Sequence, residues 1–357
     1  LKDDGSVVTW GGGGGDSSSV ESHLQSGVVK IFSTASAYAA LKDDGSVITW
    51  GGAGGDSSSV ESQLQSGVVN ITAGQRDFAA LKDDGSVVTW GDTRYGGDSS
   101  SVESHLQSGV VDIFSTDFAY AALKDDGSVI AWGLSNSGGQ PSQPTTNTIG
   151  SAEIASKLQS GVVNIFSTQY SFAALKDDGS VVTWGRVPAG NDPGLQSGVV
   201  NIFSTASAFA ALMDDGSVKA WGHNGGIIPG NTGQLLQGGV VNIFSNDHAF
   251  AALKDDGSLV TWGAHMPNYY YSLKRLDPES GVVDIFSNKW SFAALKDDGS
   301  VVTWGDSSGR GGDSAVVKDH LQSGVVSFAD PFHDDRLVWR EGLRSEPSTA
   351  LELIIDT

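Results

Sequence analysis

The chain contains no cysteine, so it can form neither a disulfide bond nor a thiolate metal site. Extracellular eukaryotic chains of this length often carry disulfides, and the absence therefore favours a bacterial origin or a reducing compartment. The 357 residues are enough for a large folded core, and a hydrophobic content of 39% is typical of a folded rather than a disordered protein.

Basic residues are scarce. The chain has 21 Lys and Arg against 42 Asp and Glu, which gives a net charge of −21. A surface of this sign repels phosphate backbones and anionic lipid head groups, so we expect no nucleic-acid partner. Most of the excess lies in a repeated Lys-Asp-Asp sequence, whose simplest role is to keep the protein soluble.

Long apolar runs are also missing. No run approaches the roughly 20 residues needed to cross a bilayer, so we expect no membrane insertion. No signal peptide is visible, but the chain opens inside a repeat at Leu1, and a leader or other domains of a longer chain could precede it.

What the sequence does contain is an internal repeat. The segment LKDDGSVITWG at 41–51 has close copies, which begin at Leu1, Leu81, Leu123, Leu175, Leu212, Leu253 and Leu295. The tryptophans of the eight copies are Trp10, Trp50, Trp90, Trp132, Trp184, Trp221, Trp262 and Trp304. Their spacing of 37 to 52 residues predicts units that pack on their neighbours. We expect each Trp to be structural, buried against the next unit with its N–H bonded.

One unit predicts three strands. The β-branched and aromatic run at 27–34 indicates the first, and the alanine-rich run at 37–41 the second, after a small-residue break. The third, at 47–50, is expected to pair antiparallel with the second across Asp44-Gly45, which favours a two-residue hairpin turn. Small alanine side chains would let neighbouring sheets approach closely.

The connector at 51–66 predicts a short helix over 56–64, with a fourth, edge strand as the alternative. Ser58 and Glu61 have the spacing of a capping box, and Val60 and Leu64 lie on one helical face.

The chain divides into seven full repeats flanked by two partial ones. The boundaries are a half repeat 1–26, full repeats 27–66, 67–108, 109–160, 161–197, 198–238, 239–280 and 281–323, a degenerate half repeat 324–340, and a tail or linker 341–357. The first half repeat holds a second and a third strand, and the last holds a first strand. The two halves are complementary, which predicts a ring closed by pairing of its ends and free of exposed sheet edges.

The pattern Ile-Phe-Ser-Thr, three residues, then Phe/Tyr-Ala-Ala-Leu-x-Asp-Asp-Gly-Ser-Val-x-x-Trp-Gly resembles the repeat of the regulator of chromosome condensation family. The resemblance covers 1–328 and implies an all-β, seven-bladed β-propeller, or eight blades if the two half repeats make a full one. The near-identity of the units is also similar to repeats of very large surface proteins of marine bacteria. The family usually has Gly before the second strand and His at its start. Here only Gly74 keeps the glycine, with Asp77 at the His position, so we expect different polar ties between blades.

No catalytic, cofactor or metal site is predicted. Asp-Asp-Gly-Ser lacks the alternating oxygen ligands of a calcium loop, and its Asp-Gly already explains a turn. His23, His105 and His320 recur at one repeat position, so they lie on separate units and do not converge as zinc ligands would. The sequence shows no nucleophile-base set and no phosphate loop, and we therefore expect no enzyme.

The candidate site lies in the connectors, because they vary while the strands do not. Repeat folds carry such variation on one face, often the binding face. The 134–157 insertion is one example. Aromatic and basic residues, typical interface anchors, mark three connectors: Tyr269, Tyr270, Tyr271, Lys274 and Arg275 in one, with Arg94 and Tyr95, and His223 and Asn224, at the corresponding stretch of two others.

These features favour a non-enzymatic interaction or adhesion scaffold that binds a protein or a glycan, as a module of a larger secreted or surface protein. The family resemblance implies an alternative, a guanine-nucleotide exchange factor for a small GTPase, which would be cytoplasmic. A third reading is a purely architectural spacer.

Overall fold

Each full repeat folds into one three-stranded antiparallel sheet, and we call the seven sheets blades 1 to 7 in chain order. The computed structural model describes residues 1–139, 151–186, 195–223, 226, 228, 230–263, 281–305 and 312–325. The predicted order of three strands per unit is confirmed in all seven blades.

The bounds of the strands repeat closely from blade to blade. The first strands are Val28–Ser33, Val68–Ala73, Val110–Ser115, Val162–Ser167, Val199–Ser204, Val240–Ser245 and Val282–Ser287. The second strands are Ala37–Lys42, Asp77–Lys82, Ala119–Lys124, Ser171–Lys176, Ala208–Met213, Ala249–Lys254 and Ser291–Lys296. The third strands are Val47–Gly51, Val87–Gly91, Val129–Gly133, Val181–Gly185, Val218–Gly222, Leu259–Gly263 and Val301–Gly305.

The repeated Asp-Asp-Gly-Ser sequence forms the loop between the second and third strands. In blade 1 the Lys42 N–H donates to the Ser46 carbonyl at 2.9 Å, and the Gly45 N–H donates to the Lys42 carbonyl at 3.0 Å. The loop therefore has three residues, 43–45, and the predicted two-residue turn is wrong. Gly45 has a φ of 75°, which closes a loop of this length at no steric cost. The Asp44 Oδ1 atom accepts the Ser46 N–H at 2.9 Å, so this carboxylate is used by the turn itself.

The connectors contain short helices rather than a fourth strand in the residues described. Six are 3-10 helices: Gly13–Gly15, Glu21–Leu24, Glu61–Leu64, Ser100–His105, Ser135–Ser137 and Ala315–His320. Two are α-helices: Ser151–Lys157 and Gly230–Leu235.

The predicted capping box is wrong, because the helix of the first full repeat begins only at Glu61. Val60 occupies its N-cap position and provides no side-chain hydrogen bond, while the Ser58 N–H donates to Asp56 Oδ1 at 3.0 Å. The predicted apolar face is present, since Leu64 is buried and Val60 packs against the same cluster.

Consecutive blades pack face to face through the alanine-rich second strand. Ala37 and Ala39 of blade 1 are buried in one cluster with Ile71, Phe78 and Trp90 of blade 2. A lone three-stranded sheet has no second layer to cover its apolar face, so each blade depends on the next one for burial. The expected close approach at the alanines is thus confirmed.

The repeated tryptophans lie at these interfaces. In each blade the Trp stacks on the aromatic residue opposite it in the second strand, with ring centroids 5.1–5.3 Å apart. The seven tryptophans of the blades are 1–7% exposed. Trp10 departs from the expected structural role, since it is 83% exposed.

Backbone hydrogen bonds also join neighbouring blades at both ends of the strands. At the end that carries the 43–45 loop and its equivalents, which we call the hairpin end, the Val68 N–H donates to the Gly45 carbonyl at 3.0 Å. The opposite end, which we call the turn end, carries the turn between the first and second strands. There the Ala35 N–H donates to the Gln75 carbonyl at 3.0 Å, and the Gln75 N–H donates to the Asp117 carbonyl at 2.9 Å.

The same turn-end link continues through Gln169 and Ala206 to Asp247, so that a belt of main-chain bonds runs from blade 1 to blade 6. The first strand of each blade lies against the first strand of the next, from blade 1 to blade 7. This arrangement of separate sheets, packed in chain order around their first strands, is that of a seven-bladed β-propeller.

The described part of the closing pair forms no sheet. Residues 7–10, the third strand of the first half repeat, belong to no strand, and the description ends at Val325, before most of the complementary strand. An eighth blade is therefore not seen within the described residues. None of the helices in those residues has the length and apolar character of a membrane-spanning segment.

A matched pair of tryptophans tests how much the N–H bonds between blades contribute. Trp184 and Trp90 are both 2% exposed, and both stack on a Phe. The Trp184 Nε1–H donates to the Gly138 carbonyl at 3.0 Å, whereas the Trp90 Nε1 atom has no acceptor within the described residues. We expect Trp184→Phe to lower the free energy of unfolding by about 2 kcal/mol more than Trp90→Phe, because it leaves a buried carbonyl unpaired.

Urea denaturation of the two variants measures this difference. Equal losses would show that the hydrogen bond contributes nothing beyond the packing of the ring.

Candidate functional site

The two ends of the propeller differ in exposed charge. At the hairpin end, eight copies of the loop bring together sixteen aspartates and seven lysines, with Met213 at the eighth Lys position. The second aspartate of each loop accepts hydrogen bonds from the Ser two residues later. In blade 1 the bonds from the Ser46 side chain and backbone lower the pKa of Asp44, so its charge persists into acid solution.

Several acids at the turn end are covered, while the cations beside them are exposed. The Asp92 side chain is 10% exposed, whereas that of the neighbouring Arg94 is 70% exposed. The Arg94 Nη2 and Asp92 Oδ2 atoms are 2.6 Å apart. The Lys289 Nζ atom lies 3.5 Å from the Asp247 Oδ2 atom. The Asp247 side chain is 6% exposed and that of Lys289 is 60% exposed.

Two further cations and two further acids follow the same rule. Arg76 and Arg186 are exposed at this end, whereas Asp77 and Asp117 are buried. The turn end thus presents basic side chains on a protein whose net charge is −21.

Half-buried aromatic rings lie between these cations. The ring centroids of Tyr95 and Phe118 are 4.7 Å apart, and those of Phe118 and Tyr170 are 5.9 Å apart. The guanidinium groups of Arg94 and Arg186 lie 5.6 Å from the Tyr95 and Tyr170 centroids. These five residues form a row across blades 2 to 4, with an arginine at each end, which we call the aromatic ladder. Such rings with arginines are typical anchors of protein interfaces.

A second, smaller group lies further along the same end. His248 and Trp290 stack with ring centroids 4.4 Å apart, and the Lys289 ammonium lies 5.3 Å from the Trp290 ring.

The structure brings together only part of the predicted site. Arg94 and Tyr95 both belong to the aromatic ladder. His223 is exposed on blade 5, where its backbone N–H donates to the Ser207 carbonyl at 2.8 Å. The remaining predicted residues lie outside the described part of the chain: Asn224, Tyr269, Tyr270, Tyr271, Lys274 and Arg275. The described parts of the 134–157 insertion are two short helices.

Sequence reasoning missed the residues that the turns contribute. In the first unit the turn was interpreted as a break of small residues. Across the seven units, however, the amino acid at its third position varies more than those at the neighbouring positions. Across the blades this column reads Ser36, Arg76, Phe118, Tyr170, Ser207, His248 and Trp290. A comparison of all seven units at this column would have found the aromatic members, because the flanking strands barely change.

Blade 2 has a buried carboxyl group at the first position of its second strand, where the other blades have Ala or Ser. Asp77 Oδ1 accepts the Tyr120 hydroxyl of blade 3 at 2.7 Å, and Asp77 Oδ2 accepts the Gly96 N–H at 2.8 Å. The Tyr120 oxygen accepts the Gly74 N–H at 2.8 Å. A Cβ on Gly74 would collide with the Asp77 carboxylate, so the surviving glycine is explained. In blade 1 Thr34 Oγ1 instead accepts the N–H of its own turn. The polar ties at the start of the second strand therefore differ between blades 1 and 2.

Burial raises the pKa of Asp77 to about 6, against the opposing effect of the hydrogen bonds from Tyr120 and Gly96. A raised carboxyl pKa can mark a general acid, but Asp77 is 0% exposed and so cannot meet a substrate. Its bonds tie blade 2 to blade 3, and we assign it a structural role. Within the described ranges no three His, Asp or Glu side chains are grouped to hold a metal ion.

Comparison with known proteins adds structural likeness at low identity. No protein-family model and no curated protein matches the chain. Similar solved structures include the CRINKLY WD40 ectodomain of the Arabidopsis thaliana receptor kinase ACR4, with 15% identity, a TM-score of 0.40, and coverage of 78% of this chain and 95% of that chain.

The yeast member of the family that the repeat resembles also appears among the similar structures. Prp20p from Saccharomyces cerevisiae, studied for its binding to Gsp1p and histones, shares 18% identity at a TM-score of 0.37, over 78% of this chain and 72% of its own. Yeast RCC1 (Prp20) in complex with Kap60 shares 18% identity at a TM-score of 0.39. At these values the likenesses assign no function to this chain.

The buried Asp77 predicts a pH dependence of stability. The folded protein holds the Asp77 proton more tightly than the unfolded chain, whose carboxyl has its ordinary pKa of 3.8. Protonation of Asp77 therefore stabilises the folded protein fully below about pH 4. This stabilisation decreases as the pH rises to about 6, and above that pH it is lost and no longer changes. The fall is at most about 3 kcal/mol.

Asp77→Asn removes the titration while keeping the shape of the side chain. We expect the unfolding free energy of the wild type minus that of the variant to decrease between pH 4 and pH 7, measured by urea denaturation. A difference that stays constant over this range would mean that Asp77 is ionised in the folded protein throughout.

Proposed function

We propose that this chain is a non-enzymatic interaction scaffold that binds an acidic surface of a partner, a protein or a glycan, at its turn end. The observation that carries the proposal is the contrast at that end, where exposed cations and half-buried rings stand beside covered carboxylates. A partner with negative charge gains from the cations, and planar groups or apolar side chains gain from contact with the rings.

The scaffold works by display. The strands and the main-chain belt fix the positions of the turns in blades 1 to 6, so the side chains of the aromatic ladder are held in place before a partner arrives. Pre-organisation of this kind lowers the entropy lost on binding. We propose further that the chain serves as a module of a larger secreted or surface protein. Nothing in the described residues favours nucleotide exchange on a GTPase.

Two acidic probes test the proposal, a glutamate-rich peptide and a sulfated polysaccharide, with binding measured by biolayer interferometry. The test variant is Phe118→Ser with Tyr170→Ser and Arg186→Ser. Serine already stands at the turn column in blades 1 and 5, as Ser36 and Ser207, so the fold tolerates it. We expect this variant to lose about tenfold or more in affinity for at least one probe, because several anchors are removed together.

The control variant is Lys42→Ser with Lys176→Ser, which removes two cations from the hairpin end. It should bind the probes as the wild type does. An equal loss in both variants, or no loss in the turn-end variant, would contradict a specific site on the turn end.

A further inference from the structure

The hairpin end carries an apolar feature that the fold does not use. In each first strand the second residue is skipped by the pairing register, as in blade 1, where Val28 pairs with Lys42 and Lys30 with Leu41. The skipped residue is a β-bulge, which turns its side chain out of the sheet. This residue is valine in all seven blades: Val29, Val69, Val111, Val163, Val200, Val241 and Val283.

These valines form a repeated exposed set, which we call the valine ring. Each one is 53–57% exposed. The next residue along the strand is polar in every blade, with Lys30, Asn70 and Asp112 in the first three, so this part of the strand does not in general require an apolar residue. An apolar residue kept at one exposed position in every blade favours a surface that another surface covers.

Acidic loops border the valine ring. Between blades 1 and 2 a shallow groove is lined by Val29, Val69, Asp43 and Asp83. The hairpin end therefore combines exposed apolar side chains with a rim of carboxylates, and its eight loops carry nine more aspartates than lysines.

The two ends of the molecule are complementary. The turn end offers rings and exposed cations, and the hairpin end offers apolar side chains and carboxylates. Two hairpin ends repel one another, since both are acidic, and two turn ends repel through their arginines. A symmetric pair through either end is thus disfavoured, whereas contact between unlike ends is favoured. Contact between unlike ends is heterologous, and it leaves one free end on each side.

We propose that the hairpin end of one copy docks on the turn end of the next, so that the chain associates head to tail. This inference rests on the proposed function of the turn end and names its partner, a second copy of this chain. The valine ring covers the apolar rings of the aromatic ladder, and the aspartates face Arg76, Arg94 and Arg186.

Sedimentation velocity over a range of protein concentrations tests the proposal. For the wild type at low ionic strength, we expect the weight-average sedimentation coefficient to rise with concentration. Salt at about 1 M should reduce this rise, because the Debye length falls to about 3 Å. A wild type that stays monomeric at every concentration and at low salt would overturn the proposal.

Two blocked variants make the test specific. The turn-end variant is Phe118→Ser with Tyr170→Ser and Arg186→Ser. The hairpin-end variant replaces all seven valines by threonine, which keeps the branched shape of an exposed strand residue. Each variant alone should be monomeric. Their equimolar mixture should recover a one-to-one dimer and nothing larger, because only one pair of intact unlike ends remains.

A second hairpin-end variant guards against misfolding of the first. Asp43→Asn with Asp83→Asn and Asp125→Asn neutralises the first aspartate of three loops, while the second aspartate still closes each turn. It should also be monomeric and should also dimerise with the turn-end variant. A mixture that stays monomeric, or a blocked variant that still associates by itself, would contradict head-to-tail contact.

The outcome is separable from that of the proposed function. A monomeric wild type that binds the glutamate-rich peptide through its turn end would overturn self-association and keep the scaffold. If self-association occurs, the same peptide should compete with it and lower the sedimentation coefficient of the wild type.

Discussion

The packing of one blade's alanine strand against the aromatic strand of the next is the interaction on which the rest of the structure depends. A three-stranded sheet cannot bury its own faces, and here Ala37 and Ala39 become solvent-free only because Phe78 and Trp90 cover them. Larger side chains at the alanines would push the blades apart and break the main-chain bonds at both ends. Stability is therefore a property of neighbouring pairs of blades, as in other repeat proteins.

This dependence explains where the sequence can vary. Two features require glycine at position 45 of the hairpin loop. One is the positive φ of Gly45, and the other is its close approach to the backbone of Gly67. The turn is fixed by the belt of main-chain bonds, but the side chain of its third residue takes no part in that belt. Diversity at Phe118 or Trp290 is consequently tolerated by the fold, and function can be placed there.

The same reasoning shows what the sequence could predict. Strand order, the antiparallel pairing and the alanine interface follow from residues that repeat in every unit, and all of them are found. The capping box at Ser58 was wrong because the spacing of two residues does not say where a 3-10 helix begins. Only two of the five ladder residues, Arg94 and Tyr95, were predicted, because contacts such as that between Phe118 and Tyr170 join different blades. Such contacts depend on the packing of the blades and are not visible within one unit.

Asp77 shows that an interface of this kind can change if its members change together. Blade 2 has Gly74 where blade 1 has Thr34, and the missing side chain leaves room for the Asp77 carboxylate. The Tyr120 hydroxyl of the next blade accepts the Gly74 N–H and donates to Asp77, so it takes over the polar contacts at this turn. The cost is a carboxyl group with a raised pKa, which is acceptable where it is fully covered.

Repetition itself makes the two ends different. Any charge inside the repeated loop is multiplied by the number of units at the hairpin end, which is why an ordinary turn sequence yields a strongly acidic surface. The turn column is not repeated in the same way, so its charge comes from individual residues such as Arg76. A repeat protein with identical loops on one side and varied turns on the other is therefore polar along its axis, and polarity along an axis favours contact between unlike ends over contact between like ends.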